Sequence, residues 1–297
     1  MQVATNHKEA KQPSKTLWTI LPKLSVLIVL LFLFFSCEKK ADWFLTADPS
    51  QEIAVECLIT NEFSNQVIKL TLPVSRLNEK SAGISDAEVI VTVDSTIYFF
   101  REVETSKGTY ISDLPFAGKP GKDHSLLINY KGNIYSAKTS MVPWTGNFGS
   151  NFYSLTKDGN LYKIIWQTSP YDPTHAVMYE LWLDWSHVAG YEDADSSETH
   201  ARMFSYTLPT LDVSEIFAPT AQIVKFPAGT LIIERRYTLT TQHAAYIRAM
   251  LLETSWQGGF FPSASANVPT NLSAGAVGFF GASAVISQIR AAGSASP

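Results

Sequence analysis

Cysteine is scarce in this chain: two occur in 297 residues, Cys37 and Cys57. That excludes a scaffold stapled by several disulfides and the zinc sites built from paired cysteines. Charge is sparse as well, at 17% of residues, with a net value of −4. The acidic tilt is stronger in the body of the chain, because Lys8, Lys11, Lys15 and Lys23 precede residue 37 and only Glu9 offsets them. Without those five charges, 19 basic residues face 26 acidic ones. Nucleic acid is therefore excluded as a partner, since no basic stripe answers its phosphates. The nucleophile elbow G-x-S-x-G, the zincin H-E-x-x-H, the phosphate loop G-x-x-x-x-G-K and the dinucleotide G-x-G-x-x-G are all missing. With them go the common hydrolase, metalloprotease and nucleotide-cofactor readings, and no cofactor is implied.

A short hydrophobic run is present. Residues 1–23 are polar and basic, Leu24 to Phe35 is apolar except for Ser25, and Ser36-Cys37 leads into Glu38, Lys39 and Lys40. Twelve helical residues rise ~18 Å, short of the ~30 Å hydrocarbon core of a bilayer. Residues 1–36 therefore read as a signal peptide, with Pro22 and Lys23 interrupting any longer span. Ser36-Cys37 is similar to the bacterial lipobox, in which cleavage precedes the cysteine and its thiol receives diacylglycerol. The competing reading is an incidental cysteine at the end of a membrane helix. Acylation at Cys37 would give lasting attachment, because each buried methylene adds ~0.8 kcal/mol and several chains act together. Residues 37–50 then form a tether. Cys57, in AVECLIT, shares a strand face with Val55 and Ile59 and reads as a small buried hydrophobe.

Residues 51–142 contain seven short alternating stretches separated by turn residues: IAVECLIT, QVIKLTLPV, AEVIVTVD, TIYFFREV, GTYISDL, HSLLINY and NIYSAKTSM. That spacing predicts an antiparallel β-sandwich, immunoglobulin-like or transthyretin-like, with a tight primed turn at Gly132-Asn133. A boundary at 143 opens a second β-rich domain over 143–290. LYKIIWQTSP, HAVMYELWLDW and TLIIERRYTLT are strand-like there, and in the second Val177, Tyr179, Leu181, Leu183 and Trp185 should face a core. The Trp and Tyr strands around a Pro-rich turn resemble fibronectin type III domains. The period then becomes helical near 241–255, where His243, Ile247, Met250, Leu251 and Thr254 share a stripe, Thr240 or Thr241 can cap the start, and Gly258-Gly259 can end it. His243 reads as a satisfied buried histidine and Met250 as core. Residues 291–297 are a small, polar tail expected to fray.

Cys37 with Glu-Lys after it, VECLITNE, GTYISDLPFAGKPGKDHSLLINYKGNIYSA, the helix around Tyr246 and the closing NVPTNLSAGAVGFFGAS together resemble the Bacteroidota outer-membrane lipoproteins grouped as domain of unknown function 4249. The resemblance covers nearly all of 37–283. Its most specific pieces are Gly118-Lys119-Pro120-Gly121 and Asn271 to Phe280, where Gly275 and Gly278 let backbone pass close to its neighbours and Phe279 and Phe280 enter the core. It implies an exported, lipid-anchored protein, often associated with TonB-dependent uptake systems, and it carries no catalytic residues.

Three sets of side chains are candidate sites. Asp184, His187, Glu192, Asp193, Asp195, Glu198 and His200 crowd one stretch. Asp193, Asp195 and Glu198 could hold calcium, which takes several oxygens at once, although a solvated acidic loop is the ordinary meaning of such a run and the glycine of an EF-hand is missing. Asp94-Ser95-Thr96 resembles a short O-glycosylation acceptor, with Ser95 as the site, and equally suits a hairpin turn. Trp43, Phe44, Trp144, Phe148, Phe152 and Tyr153 could stack on a ligand or seal the domain boundary. The expected function is a non-catalytic binding or accessory lipoprotein of the outer membrane. A lipid-anchored hydrolase of glycan or peptide and a structural or adhesive envelope protein are the alternatives.

Overall fold

The computed structural model describes residues 53–74, 80–145, 152–167, 176–207, 223–254 and 268–293. The expected signal peptide, Cys37 and the tether lie outside them. Among the described residues no helix is long and apolar enough to cross a membrane. The chain is mainly β and forms three sheets, one of them nearly closed.

All seven stretches read from 51–142 are strands: β1 (Ile53–Thr60), β2 (Val67–Thr71), β3 (Glu88–Val93), β4 (Thr96–Val103), β5 (Ser106–Ser112), β6 (Asp123–Tyr130) and β7 (Asn133–Ser140). Alternation puts Val55, Cys57, Ile59, Ile68, Leu70, Val89, Val91, Leu126 and Ile128 into one apolar core and leaves the intervening residues outside. Burial pushes the Cys57 thiol up, so it stays protonated and inert. The primed turn before β7 falls one residue earlier than expected, on Lys131 (φ 54°) and Gly132 (φ 84°). A second turn with two positive φ values sits at Asp94 (47°) and Ser95 (72°).

An eighth strand comes from far along the chain. β14 (Ala276–Ser283) lies parallel to β1 from Ile53 opposite Ala276 to Thr60 opposite Ser283, giving the order β14-β1-β2-β5-β4-β3-β6-β7. A boundary at 143 would assign this strand to the second domain, but it completes the first sheet. Residues 270–273 join the two edges. Leu272 bridges Ala137, Ser273 N donates to Ser136 O (2.8 Å), and Ser136 N donates to Ser273 Oγ (3.0 Å). On the other side Asn271 takes Phe280 N (3.0 Å) and donates to Phe280 O (2.8 Å).

The remaining strands are β8 (Tyr153–Asp158), β9 (Leu161–Trp166), β10 (Val177–Asp184), β11 (His200–Thr207), β12 (Lys225–Pro227), β13 (Leu231–Thr238) and β15 (Val285–Ala291). They form a four-stranded sheet, β11-β10-β13-β15, and a three-stranded one, β12-β9-β8, around a shared core. Val177, Tyr179, Leu181, Leu183 and Trp185 face that core as their alternation requires. Among the described residues two helices accompany them: α1 (Ser196–Thr199) and α2 (Thr241–Thr254). Thr240 caps α2 by accepting from His243 N (3.1 Å). Ala244, Ile247 and Leu251 of α2 pack with Met178 and Tyr206 on the outer face of the four-stranded sheet. Met250 is half exposed, not core. Fraying does not start at Ala291, which ends β15; Ala292 is buried and exchanges backbone bonds with Gly229 and Thr230, and residues 294–297 lie outside the described residues.

Candidate functional site

The residues expected to bind calcium do not gather. Asp195 caps the single turn of α1 by accepting from Ser197 N (2.8 Å), and Glu192 accepts from Gly190 N (2.8 Å). These backbone N–H groups hold both carboxyls below their usual range, so they are anionic near neutral pH. Among the described residues, no group of three or more His, Cys, Asp or Glu is placed to hold a metal ion, and Asp193 and Glu198 form no such group with Asp195. His187 bonds to Gly229 O and His200 lies 3.4 Å from Asp184, so the two histidines serve separate neighbours. Ser95 is exposed in its turn and beside a shallow groove of about 370 Å³ lined by Thr92, Asp94, Lys122, Asp123 and Lys138. Phe152 and Tyr153 are buried within the two-sheet core, Phe152 stacked with Trp166 and Tyr179 and Tyr153 edge-on to Trp166, and Trp144 packs against the same core. Cys37, Trp43, Phe44 and Phe148 lie outside the described residues.

Two buried carboxylates were not anticipated. Glu234 is fully buried between the sheets and receives Tyr153 OH (2.6 Å), Gln288 Nε2 (2.7 Å) and Arg290 Nε. Glu180, on the opposite face of the same sheet, is 1% exposed and receives Tyr237 OH and Arg202 Nε. Beside it Arg235 grips both oxygens of Glu62 (2.7 Å each), on the β1–β2 connection of the large sheet. Burial and the bonds to Glu234 and Glu180 push Tyr153 and Tyr237 up, so both phenols remain donors. These groups lock strands and join the two units. The only local sign is two arginines in LIIERRY; a carboxylate on alternate positions of HAVMYELWLDW reads as a solvent face.

One open surface remains on the four-stranded sheet. Four residues lie directly opposite one another across it: Arg202, Trp182, Ile233 and Ile289. Side chains so placed sit ~5 Å apart at Cβ and act as one surface. Ile289 is 66% exposed and Trp182 44%, and Phe204 and Leu231 flank them at nearly 40%. Helix α2 packs on the same face two rows away, at Met178 and Tyr206, with the Glu180–Phe204 row between. Arg202 leans over Phe204 (4.9 Å) while donating to Glu180.

The family model described as Domain of unknown function (DUF4249) matches residues 43–289. The chain belongs to this family. No curated protein matches it. The two most specific pieces of the DUF4249 resemblance have structural work here. Gly278 (φ 95°) passes so close to β1 that an added Cβ would lie 2.0 Å from Val55 O, and Phe280 is fully buried. Gly118 lies under Met141 and the buried His124, where a Cβ would meet Met141 Cε at 2.5 Å. The motifs of this DUF4249 chain mark the seam and one end of the large sheet.

Proposed function

We propose that this protein is a lipid-anchored outer-membrane lipoprotein, acylated at Cys37, that acts without catalysis as a binding or accessory subunit of a TonB-dependent uptake system. In this reading the eight-stranded sheet is the immunoglobulin-like or transthyretin-like element, and the four- and three-stranded sheets are the fibronectin III-like one. One observation carries the proposal: the direction of β1. The strand starts at Ile53, where the chain arrives from residue 37, and rises ~26 Å to Thr60. The contacts to the two-sheet unit cluster at that far end, through Asn61 Oδ1 to Val285 N (2.6 Å), Glu62 to Arg235, and Val142 O to Thr238 Oγ1 (2.7 Å). In this reading the anchored segment leads into one end of β1, and the second unit joins the large sheet at the other. A hydrolase working through the 184–200 carboxylates has less support, because Asp195 and Glu192 spend oxygens on their own backbone.

Mass spectrometry of the mature N-terminus, with protease shaving of whole cells, tests the anchor. The expected product begins at a triacylated or diacylated Cys37; a retained leader or a bare thiol refutes it. Purification from detergent-solubilised membranes should recover a TonB-dependent transporter, and its absence counts against the accessory role.

A further inference from the structure

We propose that the exposed part of the four-stranded sheet, centred on Trp182 and Ile289, is a docking surface for a protein whose contact face sets basic residues beside an apolar ridge. One end of this sheet face is already used in the way such faces are normally used: α2 lays Ala244, Ile247 and Leu251 against Met178 and Tyr206. Farther along, Trp182, Ile289, Phe204 and Leu231 repeat the apolar character with their side chains exposed. Exposed apolar residues scattered singly mean little, but a contiguous set spanning four paired strands marks an interaction site. Tryptophan beside arginine is also the composition of residues that dominate binding energy at protein interfaces.

Charge selects the partner. The row next to Trp182 ends the sheet at Asp184 and His200, and the connection between them carries Glu192, Asp193, Asp195 and Glu198 with no Lys or Arg. The positive charge of Arg202 is directed onto the buried Glu180 and does not offset that loop. An approaching surface therefore meets aliphatic and aromatic contacts beside a negative field, which attracts cationic side chains and repels acidic ones. The exposed set includes Leu231 and, as its most open member, Ile289, so it suits the apolar ridge of a protein better than the hydroxyl-rich face of a sugar. An anionic lipid surface is an unsuitable occupant, since the acidic loop beside the patch repels it. The partner's position outside the membrane rests on the anchored reading above; the surface itself does not.

The test uses the full-length protein in its own host, with a photo-crosslinking phenylalanine analogue at position 289 and, as control, at the exposed Lys69 of β2. Position 289 should give one discrete adduct with another protein, and the crosslinked peptide should contain Lys or Arg next to apolar residues. The joint change Asp193→Asn, Asp195→Asn and Glu198→Gln should lower that adduct by about tenfold, as should Trp182→Asp. Leu231→Asp, at a half-exposed position, provides a second variant whose folding is checked by circular dichroism. No adduct from 289, an adduct unaffected by neutralising the loop, or one with lipid, glycan or a second copy of this chain overturns the proposal. Sequencing the N-terminus of the adduct separates the two readings: an adduct on a chain without acylated Cys37 keeps the docking surface and refutes the anchor.

Discussion

The eight-stranded sheet and the two-sheet unit are of similar construction, yet they are held in different ways. The large sheet closes around apolar side chains, from Ile53 and Val55 to Phe280, and its fit is set by shape. The two-sheet unit buries Glu180, Glu234 and Arg236 among its apolar residues, with Arg236 over the rings of Phe152 (5.0 Å) and Tyr179 (5.8 Å). Shape tolerates substitutions of equal volume, whereas a buried ion network fails when one member loses its charge. The first unit should therefore be sensitive to size and the second to charge.

The largest effect expected is at the seam of the large sheet. Gly278→Ala places a methyl against Val55 O at a positive φ, so β14 cannot keep its register with β1. The loss should exceed about 4 kcal/mol, and circular dichroism should show no cooperative unfolding. Cooperative melting close to wild type would break the claim that shape governs this unit. Next comes Glu234→Gln, nearly isosteric, which strands Arg290 and Tyr153 around a neutral amide. It should cost about 3–5 kcal/mol in urea unfolding, while Ile68→Leu in the large sheet costs under about 1.5 kcal/mol. Equal costs would erase the contrast.

The third prediction concerns the border between the units. His243 stacks on Phe279 (4.7 Å), its Nδ1 has no hydrogen-bond partner among the described residues, and burial pulls its pKa down to about 4. It is therefore buried as expected but not satisfied. A folded pKa below the unfolded value of ~6.5 means folding excludes the proton: the full contribution is present above that value and is lost as pH falls toward 4. The loss reaches about 3 kcal/mol. His124, also buried and lowered, acts with the same sign, so the diagnostic quantity is the difference between wild type and His243→Leu. The variant should lose less stability than wild type between pH 7 and 4.5 by chemical denaturation. Identical pH profiles would mean His243 is not held neutral by its packing.

The legible parts of this molecule are those governed by local rules. Alternation exposed β1 to β7, and a change to helical period exposed α2, because each pattern lies within about a dozen residues. β12, three residues long, and β11, where His200, Arg202 and Phe204 occupy the outer positions, carry no such pattern. The pairing of β14 with β1 leaves no local trace either. Of the candidate site, the acidity of 184–200 was plain, but its use in capping backbone was not, since that depends on loop geometry. Trp182 and Glu180 alternate with core residues on the same strand. That α2 leaves the first open, while the β1–β2 connection reaches the neighbourhood of the second through Arg235, is a tertiary outcome.

The parallel pairing of Ile53–Thr60 with Ala276–Ser283 also has a consequence in time. A chain synthesised from its N-terminus delivers β1 early and β14 roughly 220 residues later. For that interval one side of β1 offers unclaimed N–H and C=O groups to any neighbouring strand, a state prone to mispairing. Folding must shield that interval, so the order in which this protein can complete its large sheet is written into which two strands lie side by side.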